Sequence, residues 1–291
     1  MSSDIMPMTE PRPRRQRSQG SGAADAALLF DEPGPRGRIL IAIGSVVAVI
    51  GIAALAAAVL YRLDLAGQLD YPKWRYFLGQ SVVSQLLEAA GTTLTLGGVA
   101  AVLTFPLGIA LGWLRLLDNR PIKWLIGLWI DAMRAVPMLL LVYFFLLVVP
   151  RFATISDFWK LALPIVMCTS ATTAEVFRSG VRALDRGQTE AAWALGMSPS
   201  LTMRLILAPQ ALRLMLPTLI TQMVTIIKGT TLAYVLAYPE LMYRGSTMIG
   251  QAKIDAHLSV FFQTYVIIAV LYIIVNWSLG ALARYIESRT R

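Results

Sequence analysis

Arg134, Glu175, Arg178 and Lys228 are ionisable side chains inside stretches that are otherwise apolar. A charge in such surroundings is costly unless it is paired or watered, so each is a candidate for function. Glu175 and Arg178 are spaced i and i+3, which lets them pair on one helix surface. With a helix starting near residue 161, Glu175 lies about 21 Å along it at 1.5 Å per residue, past the middle of a bilayer. A latch or gate and a direct contact to a small molecule both fit that depth. Thr169, Thr172 and Thr173 lie on one side of the same helix. Farther on, Thr218, Thr221, Gln222, Thr225, Lys228 and Gly229 fall at about 0°, −60°, +40°, −20°, −80° and +20° around a helix. That makes one polar face about 120° wide, suited to a pathway in which Lys228 receives a carboxylate; hydrogen bonding between helices is the plainer alternative. Arg134 precedes Pro137, whose ring removes a backbone donor. It either attracts anions or anchors a kinked helix.

These groups do not assemble into covalent chemistry. An intramembrane enzyme using Glu175 or Lys228 would need a convergent acid, base and nucleophile or a metal-ligand set, and the sequence offers none. His257 has only Asp255 and Lys253 near it, and Cys168 is alone in an apolar stretch, a small buried packing residue. No catalytic residue and no metal site is assigned. No Gly-x-x-x-x-Gly-Lys phosphate loop occurs, so any ATP that drives the protein is bound by another chain.

The elements that position these residues are membrane helices. The chain is 56% hydrophobic and 15% charged over 291 residues, with the apolar residues in long runs. That composition belongs to an all-α integral membrane protein. Six spans are expected, at 39–61, 86–114, 124–149, 161–181, 214–236 and 260–283; the first is 23 residues without a charge, enough to cross as a helix. With both termini in the cytoplasm, 17 of the 26 Lys and Arg fall inside and 7 outside, in accord with the positive-inside rule. The net charge of +9 is therefore topology and not a nucleic-acid footprint. Trp113, Trp124, Trp159 and Trp277 lie near span ends, where interfacial anchoring explains them. Gly108 and Gly112, at i and i+4, allow close helix packing within the chain.

Residues 1–37 read as a disordered cytoplasmic tail rich in Pro, Arg, Ser and Gly. Residues 38–85 form an anchor helix and an external segment, 86–285 the main membrane domain, and 286–291 a cytoplasmic tail. Within the main domain, the loop at 183–213 is polar and helix-forming. Gly196 suits the left-handed residue that ends a helix. Ser198-Pro199-Ser200 begins a second helical segment, and Pro209 and Pro217 break or kink the return to the membrane. Ala191, Ala192, Ala194 and Leu195 give a compact apolar surface able to seat in a partner's groove. Glu190 would hold the loop through its own backbone or through Arg186.

The order Gln188, Glu190-Ala191-Ala192, Leu195-Gly196 and, farther on, Pro209 resembles the EAA loop of ATP-binding-cassette importer permeases. From Gly91 to the C-terminus the chain is similar to polar amino-acid permeases of that superfamily. The likeness is carried by Gly91-Thr92-Thr93-Leu94, Arg134-Ala135-Val136-Pro137, Ala174-Glu175-Val176-Phe177-Arg178-Ser179-Gly180, Gly187 to Ser198, Pro209-Gln210-Ala211 and Lys228-Gly229-Thr230-Thr231-Leu232. The wording is most like that of actinobacterial glutamate-uptake permeases. It departs from the family pattern at Ala208, Gly229 and the 171–174 run, the last two on helices that would line a pathway.

The resemblance implies a type I importer (MetI-like) core. Gln188, Glu190, Ala191, Ala192, Leu195, Gly196 and Pro209 would couple to the motor. Arg134, Thr172, Glu175, Arg178, Thr221, Gln222, Thr225 and Lys228 would form the substrate pathway or gate. It implies a cell-membrane location, a pair of ATPase subunits that bind ATP and Mg, a second permease chain, identical or sibling, and an extracytoplasmic solute-binding protein. The chain itself holds no cofactor. An ion-coupled secondary carrier is the competing class, but it predicts internal repeats and no docking loop.

Overall fold

The computed structural model describes residues 34–290, nearly all helical and, among these residues, without a strand. Residues 1–33, most of the expected tail, lie outside the described residues. The chain divides after Ala66 into two compact units. The first contains α1, Pro35–Leu65, which covers the expected 39–61 span and is about 46 Å long at 1.5 Å per residue.

The second unit opens with a short helix, α2 (Tyr71–Arg75), and a 3-10 turn (Tyr76–Leu78). Then follow α3 (Gln80–Leu114), α4 (Arg120–Ala135), α5 (Met138–Leu147) and α6 (Asp157–Arg182). Two short helices, α7 (Arg186–Ala194) and α8 (Pro199–Thr202), precede α9 (Ala208–Gly229), α10 (Leu241–Asp255) and α11 (Phe261–Thr290).

The centre of this unit is α6, packed against α3, α4, α5 and α9. Leu96 packs with Leu161, Ala100 and Ala101 with Ile165 and Val166, and Leu111 with Ala171 and Ala174. The register advances in the same direction on both chains, so α3 and α6 are parallel. One end of the unit therefore carries residues 115–119 and 183–207. The opposite end carries 67–79 and 148–156.

Close approach of α3 and α6 depends on the expected glycine pair. A Cβ on Gly108 would sit 2.5 Å from the Thr173 Cβ, and one on Gly112 would sit 2.6 Å from the Ala174 carbonyl oxygen. Neither distance is physically available to a real side chain. The hydroxyls at this interface are all satisfied. Thr104 and Thr169 share a 2.8 Å bond between the helices, while Thr169 and Thr173 each donate to the carbonyl four residues back. Back-bonding of this kind lets hydroxyls lie in an apolar interior.

Among the described residues, four helical stretches are long and apolar enough to cross a membrane: Arg36–Leu65, Gln80–Leu114, Pro199–Leu236 and Phe261–Leu282. The expected 124–149 span is not one helix. It breaks at Val136–Pro137, and the two parts meet at 95°. Proline disfavours helical geometry in the residue before it, and Val136 is extended at φ −74°, ψ 128°. Counting that pair as one span gives five. The expected 161–181 span is a single helix, α6, but its hydroxyls and charges leave it too polar to count by composition.

Two further differences lie at the end opposite the 183–207 loop. The segment read as external from 62 to 85 is largely helical, with α3 starting at Gln80. The stretch after residue 236 folds as α10, with Met248 and Ala252 packed against Phe77, Val82 and Leu86. At its start, fully buried Glu240 caps the helix: its carboxylate accepts from the Tyr243 backbone at 2.8 Å and from the Tyr272 hydroxyl at 2.7 Å. Burial pushes this carboxyl above the usual carboxylate range, opposed by the hydrogen bonds it accepts.

Replacing Gly112 with Leu should destabilise the protein by about 1–3 kcal/mol or more through overpacking. Leu at exposed Gly91, where nothing lies within 4 Å of a new Cβ, should change little. Thermal unfolding of the two variants in detergent compares them directly; equal midpoints would mean that α3 and α6 do not pack through Gly112.

Candidate functional site

The 183–207 loop is built from local signals. Asp185 caps α7, its carboxylate accepting from the Gly187 N–H at 2.8 Å. The helix closes at Gly196, with φ +75°. There the Met197 N–H donates to the Ala192 carbonyl and the Gly196 N–H to the Trp193 carbonyl, the paired bonds of a Schellman end. Ser198 then caps α8, with its hydroxyl accepting from Leu201 N–H and Pro199 in the first turn. Between α8 and α9 the backbone widens into a π turn, Met203–Leu207, in which Ala208 N–H reaches back five residues to the Met203 carbonyl. Pro209, which cannot donate and whose ring crowds the carbonyl of Leu205, gives the wider turn a cause.

Of the loop residues singled out from the sequence, Ala192 is buried; Thr202 and Leu207, which the sequence did not mark, are buried too. Gln188 accepts a 3.2 Å hydrogen bond from the Gln210 amide, tying α7 to the start of α9. Glu190 and Ala191 are exposed, and no ion pair joins Glu190 to Arg186 among the described residues. Trp193, Leu195, Leu201 and Leu205 are exposed, Leu195 at 81%. An apolar surface on a polar loop of fixed shape is suited to receive another protein.

The second site lies within the helices. Glu175 pairs with Arg178, as the i and i+3 spacing predicts. The structure adds Arg115, from the end of α3, which donates to Glu175 at 2.9 Å and to both Asp131 oxygens at 3.0 and 3.2 Å. One carboxylate thus holds two guanidiniums, and three helices meet at the cluster. Sequence reasoning missed both new members. Asp131 stood within an expected span, so the rule that marked Arg134 would have found it; Arg115 lay just beyond one, and only the fold brings it back.

On the other side of Glu175 a cavity of about 390 Å³ is lined by Arg134, Thr172, Glu175, Ser179 and Thr218, among others. Residues singled out from three separate sequence segments therefore share one space. The polar face on α9 is divided. Thr218, Thr221, Thr225 and Lys228 are exposed along one stripe, whereas Gln222 is buried and Gly229 lies against Met138 and Ile165. Lys228 is ten residues beyond Thr218, about 15 Å along the helix, and does not reach the cavity. Arg134 and Glu175 give the lining of this cavity a cation and an anion. The arrangement can bind or gate a zwitterion.

The neutral amide in Glu175→Gln should cost about 1–3 kcal/mol, because two largely buried guanidiniums lose their counter-charge. Asp131→Asn, at a carboxylate 58% exposed, should cost under about 0.5 kcal/mol. Denaturation midpoints of the two variants test the ranking, and a larger loss for Asp131→Asn would refute it.

The model of a family described as binding-protein-dependent transport system inner membrane component matches residues 104–291. The glutamate transport system permease protein GluD of Corynebacterium glutamicum is 34% identical over 230 residues, which is 77% of this chain and 82% of that one. The probable glutamine ABC transporter permease protein GlnP of Bacillus subtilis is 33% identical over 198 residues, 68% of this chain and 89% of that one. Among solved structures, an amino acid ABC transporter crystallised with histidines matches with a TM-score of 0.64 at 24% identity, over 72% of this chain and 95% of that one. The inward-facing MetNI methionine ABC transporter matches with a TM-score of 0.61 at 15% identity, over 73% and 99% of the two chains. At these identities the two structures speak for the fold.

Proposed function

The chain belongs to the family of binding-protein-dependent transport system inner membrane components, and from that premise we propose that it carries a polar amino acid, glutamate or one similar to it, into the cell. It is a multi-pass membrane protein and a transport subunit. Relatives named for glutamate and glutamine support the cargo, and the opposite charges of Arg134 and Glu175 in the cavity lining suit a zwitterion. The secondary-carrier alternative finds no support in the family match.

The observation that carries this reading is the 183–207 loop, a folded, apolar-tipped surface joined directly to α9. A separate pair of ATPase chains would bind ATP and Mg and seat against Trp193, Leu195 and Leu201. Their closure would press on α7. Ala192, Thr202 and Leu207 are buried and Gln188 is tied to Gln210, so the loop moves with the first turns of α9 and does not fold away. The displaced helix carries the Thr218, Thr221, Thr225 and Lys228 stripe. Exposed as it is, that stripe would line a pathway shared with a second permease, identical or sibling. A solute-binding protein would deliver the amino acid at the opposite end, and the Arg115–Glu175–Arg178 cluster would hold α3, α4 and α6 in register while the pathway opens.

Leu195→Asp places a charge on an exposed position and leaves the fold intact. It should weaken retention of the ATPase chain in detergent by about tenfold or more, the equivalent of about 1.4 kcal/mol. Undiminished co-purification and undiminished coupled hydrolysis would rule the loop out as the docking surface. Lys228→Ala should lower amino-acid uptake by about tenfold while the ATPase chain stays bound. Wild-type uptake in that variant would remove Lys228 from the pathway.

A further inference from the structure

A second cavity, of about 370 Å³, lies on the far side of the charge cluster at the end that carries the 183–207 loop. Arg115, Lys123 and Arg178 line it, together with Trp124, Gly127 and Leu128. Its one acid, Asp131, is already held by Arg115, and Arg178 is held by Glu175. Two guanidiniums therefore balance two carboxylates. Lys123 remains: among the described residues its ammonium has no ion pair and no hydrogen bond, so its charge is uncompensated. Gly127 gives the cavity its depth, since the Arg115 guanidinium lies against α4 where a side chain would otherwise project.

The surroundings say what kind of anion fits. Trp124 is 70% exposed, and Leu125 and Leu128 are exposed beside it, so an apolar stripe runs along α4 away from the cations. In a membrane-spanning chain such a stripe faces hydrocarbon, and a Trp at its end marks the interface. Lys123 lies in the first turn of α4, where the helix dipole adds to its attraction for an anion. A free phosphate would use the cations and leave the stripe idle. An anionic phospholipid uses both, with its phosphodiester at Lys123 and its acyl chains along Trp124, Leu125 and Leu128.

We propose that this cavity is a binding site for the headgroup of an anionic phospholipid of the phosphatidylglycerol class. The site adjoins the Arg115–Glu175–Arg178 cluster. A bound phosphodiester would draw on the same guanidiniums that Glu175 holds, and so tie the cluster to the lipid around it. The inference concerns a lipid and does not depend on the cargo or on the motor.

Short-chain phosphatidylglycerol, the matching phosphatidylcholine and inorganic phosphate can be titrated onto the full-length protein in neutral detergent, with binding followed by native mass spectrometry. Phosphatidylglycerol should bind at least about tenfold more tightly than phosphatidylcholine, and added salt should weaken the preference by screening. Lys123→Glu should remove most of that preference, and Lys123→Arg should restore it. Lys123 is exposed in the first turn of α4, so both variants should fold, as equal detergent unfolding midpoints without lipid would verify. Three results would overturn the proposal: equal binding of the two lipids, displacement of the lipid by inorganic phosphate at comparable concentration, or an unaltered preference in Lys123→Glu.

Discussion

A helix that carries hydroxyls, a carboxylate and a guanidinium can stand in an apolar medium only if every one of those groups finds a partner. In this protein that helix is α6. Thr169 and Thr173 return their hydrogens to their own backbone, Thr104 meets Thr169 from α3, and Glu175 gathers Arg178 and Arg115. The cost of leaving such groups unpaired away from water is several kcal/mol each, enough to dictate the packing around them. Placement of α6 at the centre, with α3, α4, α5 and α9 about it, follows from that constraint. The two cavities on either side of Glu175 are consequences of the same arrangement.

Small residues and breaks then set how closely the neighbours come. Gly108 and Gly112 bring the α3 backbone against α6, and close contact there is what allows the Thr104–Thr169 bond. Pro137 acts in the opposite way. By ending α4 it turns the chain through 95°, which leaves Arg134 lining the cavity from a helix end. That charge stands in the last turn of α4, beside a cavity that Glu175 also lines.

The 183–207 loop is governed by a different kind of force, local backbone chemistry. Asp185, Gly196, Ser198 and Pro199 each have an intrinsic preference that agrees with their place. Together they fix the shape of the loop with little help from the rest of the chain. Its buried Ala192 and the Gln188–Gln210 contact attach that shape to α9. At this joint a locally specified surface meets a helix whose position is tertiary.

Much of this was legible in the amino-acid order. The apolar runs announced α1, α3, α9 and α11, because lipid demands about 20 apolar residues in succession. Gly196 and the helix caps were readable because they act within a few residues of themselves. The Glu175–Arg178 pair was readable because helical spacing alone brings i and i+3 together. Pro137 was visible as a kink, but not as a right-angled break, since proline states that a helix cannot continue and leaves the direction of the next one to its packing. The polar face of α9 was found as a face, yet its split into a buried Gln222 and an exposed stripe depended on how α3, α6 and α11 pack against it. Arg115 joined Glu175 across 60 residues of chain and Asp131 across 16, contacts that no local pattern encodes. What the sequence determined by itself were preferences with a range of a few residues: which segments are helical, which are apolar and where helices stop. What only the tertiary structure decided was which charge meets which, because a buried charge is satisfied by the nearest partner in space, however far away that partner lies along the chain.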